Sequence, residues 1–409
     1  MSILAQSAAA LAASLLTIQV ASAAIAMVRC RKGAPVGTTS KSKNNLKGIT
    51  IVRPLCGLEP YSQETIEASF QIDWPDYELI FCVADAQDPI VPLAQTAIDR
   101  HPHVPARLLF GMERLGPNPK LNNMAKGFRN ARFDIIVFVD SNLLVAPDYL
   151  HRLTGAWRAD AGMVTAPAFG DRPEGFWSLL ECAMLNSYQA RIQYAVDTLG
   201  SGFAQGKSLM FRRADLERGG LESLASEPAE DAAATKMMRG KARGIAVAGP
   251  PYPQLLGRRS LAQVWGRHLR WARLRRASFP VLFAPEIFSG VLPPLAAALV
   301  AAHGAGINLL AATVVFLAVW YIPEWLLTRI AGWPRSAALL PAMLLRDILL
   351  PALYFCAFFG RSVTWNGNKV DLAAAPKRRV LQRPQIIATV LSAGSARLAR
   401  VSLKSFRRS

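Results

Sequence analysis

Hydrophobic and polar positions alternate on two length scales along this chain of 409 residues. Near both ends, apolar stretches run on without interruption. Between them, short apolar runs are separated by polar turns. Residues 2–28 carry no charge and stop against Arg29, Arg31 and Lys32. About 20 such residues cross the hydrocarbon core of a bilayer as a helix. Three further apolar segments, 279–301, 307–328 and 336–360, follow the central block. Within that block, 49–54, 78–83, 107–110 and 134–139 are short β-rich runs, and 62–71, 89–100 and 120–131 have helical patterning. Strands alternating with helices predict a mostly parallel, doubly wound α/β sheet. Such sheets bind ligands beyond the carboxyl ends of their strands.

Composition agrees with a chain partly inside a membrane. Hydrophobic residues make up 52% and charged residues only 18%, with mean hydropathy +0.21. This argues against disorder and against an ordinary soluble enzyme. The net charge of +19 is not spread evenly. Seven arginines between Arg258 and Arg276 and a net ten charges in 361–409 account for +17 of it. The rest of the chain is nearly neutral, and no nucleic-acid motif accompanies the basic zones, so no nucleic-acid partner is expected. Five scattered cysteines without a CxxC pair form neither a zinc site nor a disulfide framework, which suits a reducing compartment.

The basic cluster at 29–32 follows the first apolar run, whereas a cleaved signal peptide carries its charge in front. An uncleaved anchor is expected, with its N-terminus outside and residue 29 onward in the cytoplasm by the positive-inside rule. The C-terminal segments give a conflict. Three full crossings put the basic tail outside, while that rule wants it inside. The third segment also carries Arg346-Asp347 near its middle, so it is expected to depart from a simple span, burying the pair or lying partly in the interface.

Candidate chemistry sits at element ends. Asp85 and Asp140 follow apolar strands, and Asp140-Ser141-Asn142 could hold a divalent cation or a ribose, or simply turn the chain. Glu230-Asp231 opens a helical run. Carboxylates there suit a helix cap, or a base that takes a proton from a hydroxyl. In Arg267-His268-Leu269-Arg270-Trp271, helical spacing puts Arg267, Arg270 and Trp271 on one face, fit for phosphate oxygens or for anionic lipid.

The order Asp85, Asp140, Glu230-Asp231, Arg267-x-x-Arg270-Trp271 resembles the D, D, D, (Q/R)xxRW signature of GT-A glycosyltransferases. More narrowly it is similar to the ceramide glucosyltransferase family. Arg53-Pro-Leu-Cys-Gly57, Asp73-Trp-Pro-Asp-Tyr-Glu78 and Asn118-Pro-Lys-Leu-Asn-Asn123 carry the likeness further. The resemblance implies a GT-A type, Rossmann-like domain at 29–257 behind a transmembrane anchor at 1–28. A basic amphipathic interface helix at 258–278, membrane helices at 279–360 and a basic tail at 361–409 would follow.

It also implies an inverting enzyme that moves glucose from UDP-glucose to ceramide at a bacterial inner membrane. Asp85, Lys120, Asp140 and Asn142 would bind the donor, and Asp140 would hold Mg²⁺ or Mn²⁺. Asp231 would be the base, and Arg267, Arg270 and Trp271 would close over diphosphate and acceptor. Another lipid acceptor (diacylglycerol or a hopanoid), another UDP-sugar, or a non-catalytic membrane-surface scaffold are the alternatives. Two departures stand out. The second motif lacks the second carboxylate of an Asp-x-Asp site, and Lys207 sits in the loop Gly202-Phe-Ala-Gln-Gly-Lys-Ser208 where no lysine is expected.

Overall fold

The computed structural model describes residues 2–31, 48–217, 219–360, 362–365 and 368–372. Most of the basic tail expected at 361–409 lies outside these residues. The chain opens with helix α1 (Ile3–Arg31) and then enters the α/β block. Strands β1 (Ile49–Leu55), β2 (Tyr77–Val83), β3 (Ala106–Phe110) and β4 (Ile135–Val139) alternate with helices α2 (Ser62–Glu67), α3 (Val91–Arg100) and α4 (Pro119–Arg129). After α5 (Tyr149–Gly155) come β5 (Ala161–Thr165) and β6 (Ala168–Glu174). A long helical stretch follows: α6 (Phe176–Ala183), a π-helical segment Met184–Ala190, and α7 (Arg191–Thr198). The block closes with β7 (Ser208–Arg212), α8 (Arg213–Leu216), α9 (Gly220–Ala225), α10 (Glu230–Gly240), β8 (Gly244–Val247) and β9 (Tyr252–Arg258).

Seven strands form one sheet in the order β3-β2-β1-β4-β7-β5-β8. It is parallel except for β7, which runs antiparallel to both β4 and β5. The sheet is buried on both faces, which is why its strands read as unbroken apolar runs. In β4, Ile135, Val137 and Val139 join one core, while Ile136 and Phe138 join the other. The mostly parallel α/β block expected from the sequence is therefore present. Its carboxyl edge gathers Asp85, Asp140 and the loops that follow them.

Helix α11 (Leu261–Ser278) opens with a full capping box at Ser260 and Gln263. Arg258 ends β9 instead of joining this helix. The rest is α12 (Pro280–Phe283), a 3₁₀ turn to Phe288, α13 (Leu292–Gly304), α14 (Leu309–Ile330), α15 (Leu339–Cys356) and a hairpin of β10 (Ser362–Trp365) and β11 (Asn368–Asp371). Among the described residues, α1, α14 and α15 are each long and apolar enough to cross a membrane. Pro280–Phe288 and Leu292–Gly304 form a further pair, bent by 49° at a break.

Contacts order these helices. At the end of α1, Arg29 donates to Asp197 at 2.8 Å and to the Val247 carbonyl at 2.6 Å, so this end rests on the α/β block. At the other end, Gly304 lies so close to Ala5 that a Cβ on the glycine would stand 2.5 Å away. Helix α13 thus ends far from the block. Helix α14 returns, and beyond it Trp333 stacks on Phe169 of β6 with ring centroids 6.1 Å apart.

Helix α15 then stays beside the block and packs on α6 and α11. Just past its end, Arg273 of α11 reaches the Ser362 carbonyl at 3.3 Å. Leu340, Ile348 and Phe355 stand exposed on the side of α15 away from these contacts. The third segment is long enough to span and buries its charged pair against neighbouring helices, one of the two outcomes expected for it. The first of the C-terminal segments is broken by the 49° bend.

Arg346 and Asp347 are each 1% exposed. Arg346 donates to Glu324 at 2.7 Å, to Ser187 at 2.8 Å and to Asp347 at 2.8 Å. Asp347 also accepts from Tyr321 at 2.9 Å and from the Trp320 indole at 3.1 Å. Gln19 of α1 donates to Glu324 at 2.6 Å and accepts from Arg191. One buried polar cluster thus ties α1, α7, α14 and α15 to the π-helical segment. Every charge in it has partners, as charges deep in an apolar setting require.

Candidate active site

Asp140 leaves the end of β4 beside β7. Val139 pairs with Ser208, and the next step brings Asp140 opposite Lys207, with the Asp140 N–H donating to the Lys207 carbonyl at 3.0 Å. The Lys207 ammonium lies 2.8 Å from Asp140 Oδ2 and 3.2 Å from Asn142 Oδ1. Lys120 engages Asp140 Oδ1 from the other side. Burial alone would raise the Asp140 carboxyl, but the two ammonium groups overcome it and hold the acid well below the usual carboxylate range.

Lys120 is itself rooted in α4. The Asn118 side chain caps that helix, accepting from the Leu121 N–H at 2.9 Å. Lys120 donates to Glu230 at 2.6 Å and to the Gly206 carbonyl at 2.7 Å, and Asn118 donates to Glu230 at 2.8 Å. Glu230 opens α10, so the α4 and α10 N-termini and the 202–207 loop meet at one point. Gly206 is needed there, because a Cβ would stand 2.7 Å from Glu230 Oε1.

Asp231 is the next residue and is half-buried. Its carboxylate accepts from the Ala232 N–H at 2.8 Å and the Gly206 N–H at 3.1 Å. Burial, reinforced by the Glu230 charge, raises it to about 6, against the pull of those N–H groups and of Lys120. A carboxylate tuned to that value can accept a proton near neutral pH.

Helix α11 borders the same space. Arg267 donates to Glu181 of α6 at 2.7 Å. Trp271 packs against the apolar cluster of α6, α14 and α15, edge-on to His268 at 5.0 Å between centroids. Burial and the neighbouring Arg267 lower Arg270 to about 10, while it lies near enough to Asp140 for that charge to oppose them. Asp85 stands apart. It is exposed on the same carboxyl edge, and its Oδ1 accepts from the Gln87 N–H at 2.9 Å in a turn.

Several participants carried no assigned role in the sequence. Arg53, 1% exposed in β1, donates to the carbonyls of Asp140, Ser141 and Leu143 at 2.8 to 3.1 Å and so fixes the loop that carries Asp140. A cation within an apolar strand was its signal. Glu181 and Glu59 had none, since their partners Arg267 and Asn142 are distant in sequence.

The expectation of Mg²⁺ or Mn²⁺ on Asp140 is not matched by the donors present. Both carboxylate oxygens and the Asn142 oxygen are already engaged by ammonium groups. Among the described residues no group of three or more His, Cys, Asp or Glu converges to hold a metal. Divalent cations want free oxygen ligands and no neighbouring ammonium.

Known proteins resemble this chain over most of its length. The chain is 26% identical over 341 residues to ceramide glucosyltransferase 3 of Caenorhabditis elegans, covering 81% of this chain and 74% of that protein. Over a shorter stretch of 115 residues, 27% of this chain and 23% of the relative, it is 38% identical to a ceramide glucosyltransferase of Komagataella phaffii. Among solved structures, a mannosyltransferase from Pyrobaculum calidifontis in complex with GDP-Man and Mn²⁺ is similar at TM-score 0.45 and 20% identity, covering 83% of this chain and 98% of that one. The model of glycosyl transferase family 21 matches residues 14–377, nearly the whole chain from the first apolar helix to the last hairpin. The chain belongs to that family and is a glycosyltransferase.

Proposed function

We propose that this enzyme transfers glucose from UDP-glucose to the primary hydroxyl of ceramide, with inversion, at a bacterial inner membrane and from its cytoplasmic side. The observation that carries the reading is Asp231, a carboxylate raised to about 6, held on the edge that gathers Lys120, Asp140, Lys207 and Arg270. The nucleotide diphosphate lies along this cationic edge, with Asp85 and Asn142 at its nucleoside side. Asp231 takes the proton of the attacking hydroxyl. The acceptor oxygen bonds to the sugar's anomeric carbon as the carbon–phosphate oxygen bond breaks, and the electron pair goes to the departing diphosphate. Positioning and fixed charge supply the acceleration.

A small cavity between the π-helical segment, α11 and α15 offers a contact for the acceptor. It is lined by Tyr188, His268, Arg275, Glu286 and Ser289, with Leu353 of α15 on its apolar side. His268 is 5% exposed, and its Nε2 has no hydrogen-bond partner among the described residues. Burial and the arginines around it keep the ring well below its ordinary pKa, hence neutral. Asp231 lies near enough to Arg275 for its charge to be felt there. The cavity is about 20 Å³, room for one small polar group such as a hydroxyl beside the His268 ring. His268→Phe is expected to raise KM for the lipid about tenfold and leave KM for the UDP-sugar unchanged.

The direct test supplies membranes containing the protein with labelled UDP-glucose, UDP-galactose, UDP-glucuronate or UDP-N-acetylglucosamine and with ceramide or diacylglycerol. Glucosylceramide is the expected product. Absence of any ceramide product with every donor overturns the proposal. Gly206→Ala, which presses a methyl group on Glu230 and shifts the Lys120 anchor, is expected to lower kcat/KM on the order of tenfold in the same assay.

A further inference from the structure

We propose that Lys207, together with Lys120, supplies at Asp140 the positive charge that a divalent cation would otherwise bring to the donor diphosphate. The inference rests on the reading that a nucleotide diphosphate binds at this edge, and it deepens that reading by naming what receives the charge.

Three observations place the ammonium there by design of the fold. First, the sheet register fixes it. The β4–β7 pairing sets Val139 against Ser208 and continues through the backbone bond from Asp140 to Lys207. The lysine is therefore the cross-strand neighbour of Asp140 and not the tip of a mobile loop. Cross-strand neighbours have side chains within reach of one another. Second, the flanking residues hold it. Lys207 Nζ is 2.8 Å from Asp140 Oδ2 and 3.2 Å from Asn142 Oδ1, while Lys120 closes the other carboxylate oxygen and is itself tied to Glu230 at 2.6 Å. Third, the motif that would ligate a metal reads Asp140-Ser141-Asn142, without a second carboxylate. A cation with two charges placed on Asp140 would meet an ammonium on each side, and Coulomb repulsion between such neighbours is strong away from bulk water.

The trio has a chemical consequence. Lys120 shares its charge between Asp140 and Glu230, whereas Lys207 meets one carboxylate, Asp140, among the described residues. Arg270 lies near the same carboxylate. When the bond between anomeric carbon and diphosphate oxygen breaks, the electron pair remains on the diphosphate. Lys207 and Arg270 are placed to receive that developing charge, while the acceptor proton goes to Asp231. The balance is complete without a metal: one C–O bond forms, one breaks, and one proton moves. Ammonium groups are point charges suited to phosphate oxygens.

The test measures binding of UDP, apart from turnover, to the purified full chain in nanodiscs by calorimetry. It is done in EDTA and again with millimolar Mg²⁺ or Mn²⁺. The Kd in EDTA is expected to lie within about threefold of the Kd with metal. Lys207→Met is expected to weaken UDP binding at least tenfold, whereas Lys207→Arg keeps most of the affinity. The charge-retaining variant separates loss of charge from loss of fold. UDP binding that vanishes in EDTA and returns with Mn²⁺ overturns the proposal, as does a Lys207→Met variant that binds UDP normally. Failure to bind UDP under any condition instead overturns the donor reading on which the proposal rests.

Discussion

Asp231→Asn is expected to reduce kcat by about 10²–10⁴-fold, the range that a positioned general base supplies, while the KM for the UDP-sugar changes little. The variant keeps the shape of the side chain and can still accept from the Gly206 and Ala232 N–H groups, so the 202–207 loop stays in place. What it loses is a site for the proton. The pH profile gives an independent check. A base is useful only when ionised, and this carboxyl is raised to about 6. Activity should therefore be full above that value and fall as pH drops through it. A profile in kcat/KM that stays flat down to pH 5 contradicts the assignment. So does an Asn variant with near-native turnover. Glu230 is the control, since its carboxylate anchors Lys120 and Asn118 and faces no open space.

The second large effect belongs to the membrane side. Arg346→Met is expected to destabilise the protein by about 3–5 kcal/mol, the usual cost of stranding a buried charge. The arginine answers Glu324 and Asp347 together, and both are nearly inaccessible. Asp347 keeps Tyr321 and Trp320 as donors, but among the described residues the nearest cation left to Glu324 is Arg191, at 3.8 Å. Thermal unfolding in detergent should show a lower midpoint for the single variant. Adding Glu324→Gln removes the stranded charge and should recover part of the loss. If the single variant melts like the native protein, the cluster contributes little and α15 is held by its apolar face alone.

Much of this molecule can be read from its sequence, and the residues show why. Strands β1, β2, β3 and β4 fall within a residue or two of the apolar runs because both faces of the sheet are covered. Asp140 and Asp231 were visible because each stands where an element begins or ends. The partner of Asp140 was not visible. Lys207 comes to it because β7 inserts antiparallel between β4 and β5, and strand order is a long-range property that no local pattern records. Arg267 and Glu181 meet for the same kind of reason, through the crossing of α11 and α6. The break near Ser289 did leave a trace in Pro280, Pro285, Pro293 and Pro294. Hydropathy, blind to proline, read an uninterrupted span there. Hydropathy also cannot tell a helix that crosses a membrane from one that lies on it.

The buried cluster around Arg346 also ties the apolar helices to the site. Arg346 of α15 donates to Ser187 in the π-helical segment, which continues α6 without a break. Helix α6 in turn carries Glu181, the partner of Arg267 in α11. A displacement of α15 is therefore relayed to the arginine helix through two hydrogen bonds and one continuous helical stretch.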